Sequence, residues 1–338
     1  MRIQAVLWIT TFALLWIGCT NKDIIEEVEP SIPEEPTEEV KPDSVPLFEK
    51  RQIHIDISEY YTDSSVDESY FLGSIWHLKD TLEGLQLESL AKKAKAEKFH
   101  ILSHNNFNVE MGFFEPSYVK VLEHANKFGD SKQSTAISIS KTTFADYAEI
   151  QGYLGYSKDV EKALSLVRYN DSTTIRKKQN TLLHGNLEKA TLFIDRTEYY
   201  DAYPESTISK FKKEGYNPYV LASVTYGSQL ILMAESDSSR VSLNTAIEKL
   251  LEEKTLEQHD VKVLDESQVL IYYRDGDKTS FLVYPKGSKA IESAMADLLK
   301  RVKQTQNSFN YPLKYSFMSM TDYHVLRTYN TYNIHIRR

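Results

Sequence analysis

The chain has 338 residues, of which 41% are hydrophobic and 12% aromatic, so it holds enough apolar material for a sizeable core. Its single cysteine excludes a disulfide scaffold and a cysteine-based metal site. The formal net charge of −8 comes mainly from residues 23–43, and the rest of the chain is nearly neutral. The body therefore lacks the basic signature of a nucleic-acid-binding protein, and no nucleic-acid partner is expected.

Residues 1–18 predict a lipoprotein signal peptide. Arg2 is followed by an apolar run that ends at Gly18, directly before Cys19. The run is too short for a spanning helix, and a small residue before cysteine is typical of signals whose cysteine is lipidated. We therefore expect lipid attachment at Cys19 and a lipid-anchored protein at the outer membrane or cell surface. A plain signal peptide with a free cysteine is the alternative.

Residues 19–47 predict an acidic, proline-rich tether. Nine acidic residues and one lysine lie between residues 23 and 43, and prolines punctuate the stretch. Such a composition cannot bury apolar surface, and its like charges repel one another. We expect the folded core to occupy residues 48–338.

The first half of the core mixes strand and helix patterns. Alternation through Ile53, Ile55 and Ile57 predicts a half-buried strand. His100 and His104 have a helical metal-ligand spacing, but on a predicted strand they would lie about 13 Å apart, so no metal site is expected. We also expect a helix over 70–80 capped by Asp67, a basic helical surface over 92–98, strands over 99–102, 109–114 and 135–143, and a helix over 116–128.

The second half is organised around the stretch from Pro218 to Ala234. Its β-branched and aromatic residues carry almost no charge, which predicts a strand covered on both faces. Gly227 inside it indicates a bend or a close backbone approach. Before this strand we expect a helix after Ser157, a second helix over 175–187, a strand over 190–198 and a short helix over 207–213.

The pattern after the central strand is also mixed. We expect helices over 243–254 and 288–304, strands over 261–264, 269–274 and 279–284, and a final pair of strands within 311–338. Asp275 and Gly276 lie in a hairpin turn, where glycine is free to take a positive φ. The acidic residues beside Gly276 suggest calcium, but the hairpin explains them without a metal.

The central strand carries the residues Val224-Thr225-Tyr226-Gly227-Ser228. They resemble the SSVAYGR strand of the cholesterol-dependent (thiol-activated) cytolysins, which are pore-forming toxins of the membrane-attack/perforin superfold. Residues 309–316, FNYPLKYS, are similar to the family's F…YPISYTS stretch, and the order of elements from 157 to 336 agrees with the family's first three domains. The resemblance implies an α+β fold with a bent, mostly antiparallel sheet of four or five strands flanked by two helical clusters.

The resemblance also implies which residues carry the function. Edge-to-edge oligomerisation would use Val224, Thr225, Tyr226 and Gly227, with Asp275 and Gly276 on the edge hairpin. The segments 157–187 and 242–260 would refold into membrane-crossing hairpins. Their apolar faces consist of Val160, Leu164 and Leu166 in the first segment, and of Leu243, Ile247 and Leu251 in the second. Charged residues interrupt both faces, so ordinary surface helices that never insert are the alternative.

The family's fourth, membrane-binding domain is expected to be missing, so cholesterol binding by the family's route is not expected. Membrane attachment would come from the lipid on Cys19 or from a partner. We hypothesise one subunit of a two-component cytolysin-like system that assembles with itself, with a longer cytolysin-like partner, or with both. The alternative is a non-inserting surface lipoprotein that caps related cytolysins in a protective, decoy role. No catalytic motif points to an enzyme or a cofactor.

Overall fold

The computed structural model describes residues 48–62, 68–81, 84–90, 99–104, 109–114, 119, 121, 123, 136–155, 157–194, 203, 205–275, 280–305 and 312–337. These ranges form an α+β fold, as the sequence predicts. The strands are β1 (Phe48–Ile57), β2 (Tyr60–Tyr61), β3 (Ile75–Thr81), β4 (Gly84–Ser89), β5 (Phe99–His104), β6 (Val109–Phe114), β7 (Ala136–Thr142), β8 (Gln179–Ile194), β9 (Pro218–Ser236), β10 (Ser267–Arg274), β11 (Phe281–Val283), β12 (Lys314–Ser319) and β13 (Thr328–Arg337).

The helices lie mostly in two insertions between neighbouring strands. A 3₁₀ turn and two helices separate β7 from β8, and two further helices separate β9 from β10. The helical elements are the 3₁₀ turn (Tyr147–Ile150), α1 (Gln151–Leu154), α2 (Lys158–Val167), α3 (Glu205–Lys213), α4 (Arg240–Leu251), α5 (Gln258–Asp265) and α6 (Ser288–Thr305). None of the helices that the structure describes is long and apolar enough to cross a membrane.

Eleven of the described strands form one antiparallel sheet with β9 at its centre. The main path runs β11-β10-β9-β8-β5-β6, and β7 pairs with the first part of β8. On one side β9 pairs with β8 and, at its start, with β3. On its other side β9 pairs with β12 along its first half and with β10 along its second half. The prediction of a mostly antiparallel sheet is confirmed, but the sheet has more strands than the four or five expected.

Gly227 marks the boundary between the two halves of β9. The register between β8 and β9 shifts between Glu188 and Ala190, directly opposite Gly227 and Tyr226. A Cβ atom on Gly227 would lie 2.1 Å from the carbonyl oxygen of Leu187, so only glycine fits this approach. The close backbone approach predicted for Gly227 is confirmed.

The half of the sheet formed by β7 to β10 is covered on both faces. One face, with Leu232 and Ile271, packs against α4, α5 and α6. The opposite face, with Ile231 and Tyr272, packs against the 3₁₀ turn, α1 and α2. Alternate residues of β9 therefore enter two separate cores, which explains why this half of the strand is apolar on both sides.

The other half of the sheet has its own aromatic-rich core. Trp76, Tyr226 and Phe317 are buried there beside Phe211 of α3. Trp76 and Phe317 meet edge to face with ring centroids 6.0 Å apart. Aromatic side chains bury large areas, so this cluster fixes β3 and β12 on the first half of β9.

β1 and β13 form a separate two-stranded ribbon. Ten residue pairs run from Phe48 opposite Arg337 to Ile57 opposite Thr328. The ribbon packs against the 3₁₀ turn through Tyr332 and other apolar residues. The backbone N–H of His335 donates to Oδ2 of Asp146, the residue that caps this turn, at 2.8 Å.

Several predicted elements are wrong. The helix expected over 70–80 is largely strand β3, because Ile75 and Trp76 pack into the aromatic core. The helix expected over 175–187 is the start of β8, which pairs with β7 and β9 at once. The residues 261–264, expected to form a strand, belong to α5. The Asp260 carboxylate accepts the backbone N–H of Glu257 and so caps the first turn of this helix.

Other predictions need a qualification. The two strands expected within 311–338 exist as β12 and β13, but β12 pairs with β9 whereas β13 pairs with β1. The other strands and the helices over 207–213, 243–254 and 288–304 are confirmed, with shifted ends. The signal peptide, the tether, Asp67, Gly276, the basic surface over 92–98 and most of the helix over 116–128 lie outside the described residues.

Candidate assembly and insertion site

The predicted assembly strand lies in the middle of the sheet. Val224 and Thr225 pair with β8 on one side and with β12 on the other. Tyr226 is only 3% exposed and belongs to the aromatic core. The expectation that an edge lies around Tyr226 and Gly227 is therefore wrong for this conformation, because β9 is a central strand.

Among the described strands, the edges of the half of the sheet formed by β7 to β11 are β7 on one side and β11 on the other. β11 covers only the last part of β10, from Ile271 to Tyr273. The remaining outer edge of β10 is held by single contacts, such as the Val269 N–H to the Pro285 carbonyl at 3.0 Å. A short edge strand of this kind is a weak cover for a strand that can pair with another chain.

Asp275 of the predicted edge hairpin is buried beside Lys189. Its exposed fraction is 2%, while Gly276 lies outside the described residues. Burial lowers the pKa of Lys189 to about 8, and the negative charge of Asp275 opposes that shift. Lys189 lies at the register shift in β8, so its interaction with Asp275 links the end of β10 to that position.

The first insertion occupies residues 143–178, between β7 and β8. In its folded form Val160 is 7% exposed and faces the sheet, Leu164 is partly buried, and Leu166 is 45% exposed. The three residues of the predicted lipid face are therefore not on one face of α2. They would share a face only if the segment became a strand, in which alternate side chains point the same way.

The second insertion occupies residues 237–266, between β9 and β10. Leu243 and Ile247 are buried against the sheet, and Leu251 is partly buried. These residues serve as the apolar stripe of α4. Exposing them would require α4 to leave the sheet.

A buried charge pair holds α2 on the sheet. Oδ2 of Asp159, in the first turn of α2, lies 4.0 Å from NH1 of Arg274 at the end of β10, and both side chains are at most 1% exposed. The hydroxyl of Tyr272 donates to the same oxygen at 3.3 Å, and Arg274 Nε donates to Thr62 Oγ1 at 3.1 Å. On the solvent side, Lys162 Nζ lies 2.9 Å from the other carboxylate oxygen of Asp159.

A second buried carboxylate, that of Glu235, holds the end of the first insertion. It is fully buried near the end of β9 and accepts the backbone N–H groups of Arg176 and Lys177 at 2.5 and 2.7 Å. Tyr147 and Gln268 donate to its other oxygen. Burial, followed by the Glu235 charge, raises the pKa of Tyr147 well above its usual value, so its hydroxyl remains a donor.

Sequence reasoning missed Asp159, Glu235 and Arg274. The available signal was a charged residue at the boundary of an apolar run, as at Glu235 after Ala234 and at Arg274 after Tyr273. Within the part of the chain that the structure describes, no group of three or more metal-ligating side chains is found. The candidate site consists of the two sheet edges, the two insertions, and the buried charges that fix the first insertion to the sheet.

The fold is similar to that of the cholesterol-dependent cytolysins. Non-hemolytic pneumolysin from Streptococcus pneumoniae strain ST306 is similar to this chain with a TM-score of 0.61 and 18% sequence identity, over 85% of this chain and 64% of that chain. Suilysin from Streptococcus suis, a cytotoxin, gives 0.58 and 14%, over 86% and 67%. Listeriolysin O gives 0.58 and 12%, over 86% and 64%.

The similarity is one of fold, and the structural neighbours are toxins rather than enzymes. The chain spans 64% of the length of the pneumolysin and listeriolysin O chains. A scan against family models finds no match, and neither does a search of the curated proteins.

Proposed function

We propose that the chain is one subunit of a two-component, pore-forming cytolysin-like system that oligomerises edge to edge through its central sheet. It would assemble with copies of itself, with a longer cytolysin-like partner, or with both. The observation that carries this proposal is the position of the two insertions. Each connects two strands that are already neighbours and antiparallel, β7 with β8 and β9 with β10.

Neighbouring antiparallel strands give each insertion a simple route to a longer hairpin. Both strands of a pair need only continue their pairing into the segment between them. The first insertion has 36 residues and the second has 30. Each is long enough for two strands of the roughly 9–11 residues that a membrane-crossing strand needs. For this to happen, the helices on the two faces have to leave the sheet, and the 3₁₀ turn has to separate from the ribbon of β1 and β13.

The corrected boundaries move the first refolding segment towards the amino terminus. Residues 179–187 already belong to β8, so the segment available for refolding is 143–178 rather than 157–187. The predicted face of Val160, Leu164 and Leu166 remains inside it, with Lys162 as an interruption. A lysine facing lipid near the midplane costs about 2–4 kcal/mol, which a ring of cooperating subunits would offset.

Membrane attachment in this proposal comes from the lipid on Cys19 or from the partner. The protein would be anchored at the outer membrane or cell surface, and cholesterol binding by the cytolysins' own route is not part of the proposal. The near-neutral charge of the chain after residue 43 supports a lipid anchor over general electrostatic attraction to the bilayer.

Liposome leakage and electron microscopy test the proposal. The acylated chain, alone and with a longer cytolysin-like partner, should form rings and release a trapped dye. Leu166→Glu should reduce leakage but leave rings intact, because residue 166 is exposed in the folded protein and faces lipid only after refolding. Ser165→Glu, at the adjacent exposed position, should leave leakage unchanged. Persistent absence of both rings and leakage would reject the proposal.

The buried Asp159–Arg274 pair favours one alternative, a non-inserting lipoprotein that caps related cytolysins. Release of α2 would take the Asp159 carboxylate away from a buried guanidinium, which opposes that release. In this case the chain should lower the leakage caused by a cytolysin mixed with it. Raised leakage on mixing would reject the capping role.

A further inference from the structure

A cleft lies where three parts of the molecule meet. The ribbon of β1 and β13, the first insertion with the start of β8, and the first residue of α4 all contribute to its walls. Its volume of about 570 Å³ lies within the range of roughly 300–1,000 Å³ that is typical of small-molecule sites. We call this cleft, lined by Ile53, Phe144, Gln179, Arg240 and Tyr332 among others, the junction cleft.

The floor of the junction cleft is apolar. Phe144 of the first insertion and Tyr332 and Ile334 of the ribbon are each at most 6% exposed. Ile53 and Ile336, also of the ribbon, are half-buried and extend this apolar surface. Covering such a surface with an apolar group removes it from water, which is favourable. The floor therefore favours the hydrocarbon part of a ligand.

The rim of the junction cleft carries hydrogen-bond donors. Gln179 is paired with Ser236, four residues before Arg240, so the start of β8 and the start of α4 lie at the same end of the sheet. Gln179 and Arg240 are exposed, and their side chains make no hydrogen bond or ion pair with the described residues. Asn180 Oδ1 accepts the backbone N–H of Phe144 at 2.8 Å, which leaves its Nδ2 as a donor. A guanidinium beside two carboxamides suits an anionic oxygen.

An acidic side chain, that of Glu149, also lines the junction cleft. It lies near Tyr332 of the floor, because burial and then the Glu149 charge raise the pKa of that tyrosine to about 12. Its Oε1 accepts the backbone N–H groups of Ala145 and Asp146 at 2.6 and 3.3 Å, which holds the carboxylate against its own 3₁₀ turn. The negative end of a ligand is therefore expected at the rim with Arg240, and its apolar part over the floor.

We propose that the junction cleft binds a single-chain fatty acid, with its carboxylate at Arg240, Gln179 and Asn180 and its chain on the apolar floor. A peptide or a sugar would place polar groups against Ile53 and Ile334, whose side chains offer no hydrogen bond in return. A bound fatty acid would contact the ribbon, the first insertion and α4 at once, and would hold the three together. This inference goes beyond the proposed function and does not depend on it, because binding requires neither a ring nor a membrane.

Fluorescence titration with a dansyl-labelled undecanoic acid, followed by displacement with decanoate, tests the inference. The full chain carries Cys19→Ser, so that no acyl chain of its own competes for the cleft. We expect one saturable site, and we expect Arg240→Gln to weaken decanoate binding about tenfold through loss of a charge-assisted contact. Lys178→Gln is the matched control, since it removes an exposed positive charge next to Gln179 that does not line the cleft, and it should leave the affinity unchanged. Decanol, which lacks the carboxylate, should displace the dye about tenfold less well than decanoate.

Hydrogen exchange locates the bound fatty acid. Decanoate should slow exchange in residues 143–150 and 330–337, which lie on two sides of the cleft, and leave α3 unchanged. Absence of saturable binding, equal weakening by Arg240→Gln and Lys178→Gln, equal displacement by decanol, or protection confined to other segments would each overturn the inference. Rings and leakage play no part in these measurements, so failure of the fatty-acid site and failure of the proposed function are seen separately.

Discussion

Gly227 allows the backbones of β8 and β9 to approach each other closely at the register shift. A methyl group there would lie 2.1 Å from the backbone carbonyl oxygen of Leu187, so the backbone itself would have to shift. We expect Gly227→Ala to lower the free energy of unfolding by about 2–3 kcal/mol, measured by urea denaturation. Gly152→Ala is the matched control, because its methyl group would meet only side-chain ends of Ile55 and Tyr332, at 3.0 Å. Equal losses in the two variants would contradict this interpretation.

His184 makes the stability of the protein depend on pH. Its ring lies under α1 with its centroid 4.6 Å from that of Tyr153, and burial lowers its pKa to about 4. The neutral ring can accept a hydrogen bond from Gln229 Nε2 at 3.2 Å, which the protonated ring cannot. The unfolded chain takes up this proton near pH 6.5 and the folded chain only near pH 4, so acidification between these values favours unfolding.

The expected size of this effect follows from the shift. Lowering the pH from 6.5 to 4 should cost about 3 kcal/mol of unfolding free energy through this one residue. In His184→Gln this component of the pH profile should disappear. A variant whose stability falls with acid as steeply as that of the unaltered chain would show that other groups cause the loss.

The element most sensitive to a single charge is α2. Asp159→Asn removes the negative charge that lies 4.0 Å from the buried Arg274 guanidinium, which should weaken the docking of α2 by about 3 kcal/mol. Hydrogen exchange should then accelerate in residues 158–167 while β8 and β9 stay protected. Lys162→Ala also removes a partner of Asp159, but on the solvent side, and should have little effect. Equal acceleration in both variants would mean that the buried pair does not hold the helix.

At this same scale, the sequence predicts some elements well and others poorly. β9 and α6 are identified because a long apolar strand and a capped amphipathic helix each contain their signal within the element. The first part of β8 is missed because its strand form depends on pairing with β7 and β9, whereas its second part is predicted correctly within the strand over 190–198. α5 is missed because Val261 and Val263 alternate, while its helix is set by the cap at Glu257.

The candidate site shows the same division. The resemblance locates the central strand and both insertions, since these depend on residue order. The buried contacts of Asp159 and Glu235 join residues far apart in the chain, and no local pattern reveals them. The place of Tyr226 in the centre of the sheet likewise depends on β12, which lies about ninety residues later.

For the molecule as a whole, folding and proposed function make opposite demands on the same helices. Their apolar faces fill the cores on both sides of β9 and β10 in the folded protein. The proposed pore needs these faces to meet lipid instead, after the two pairs of neighbouring strands have lengthened into their insertions. Contact between edges of neighbouring subunits would supply the free energy for the exchange.

Conversion of residues 164–166 from helix to strand tests this most directly. An environment-sensitive dye is placed on Leu164→Cys, Ser165→Cys or Leu166→Cys, in protein whose Cys19 is acylated, and its emission is followed on liposomes with the longer partner. Refolding predicts an alternating pattern, with blue-shifted emission at 164 and 166 but not at 165, because adjacent strand residues face opposite sides. Emission unchanged at all three positions while rings are present would contradict it.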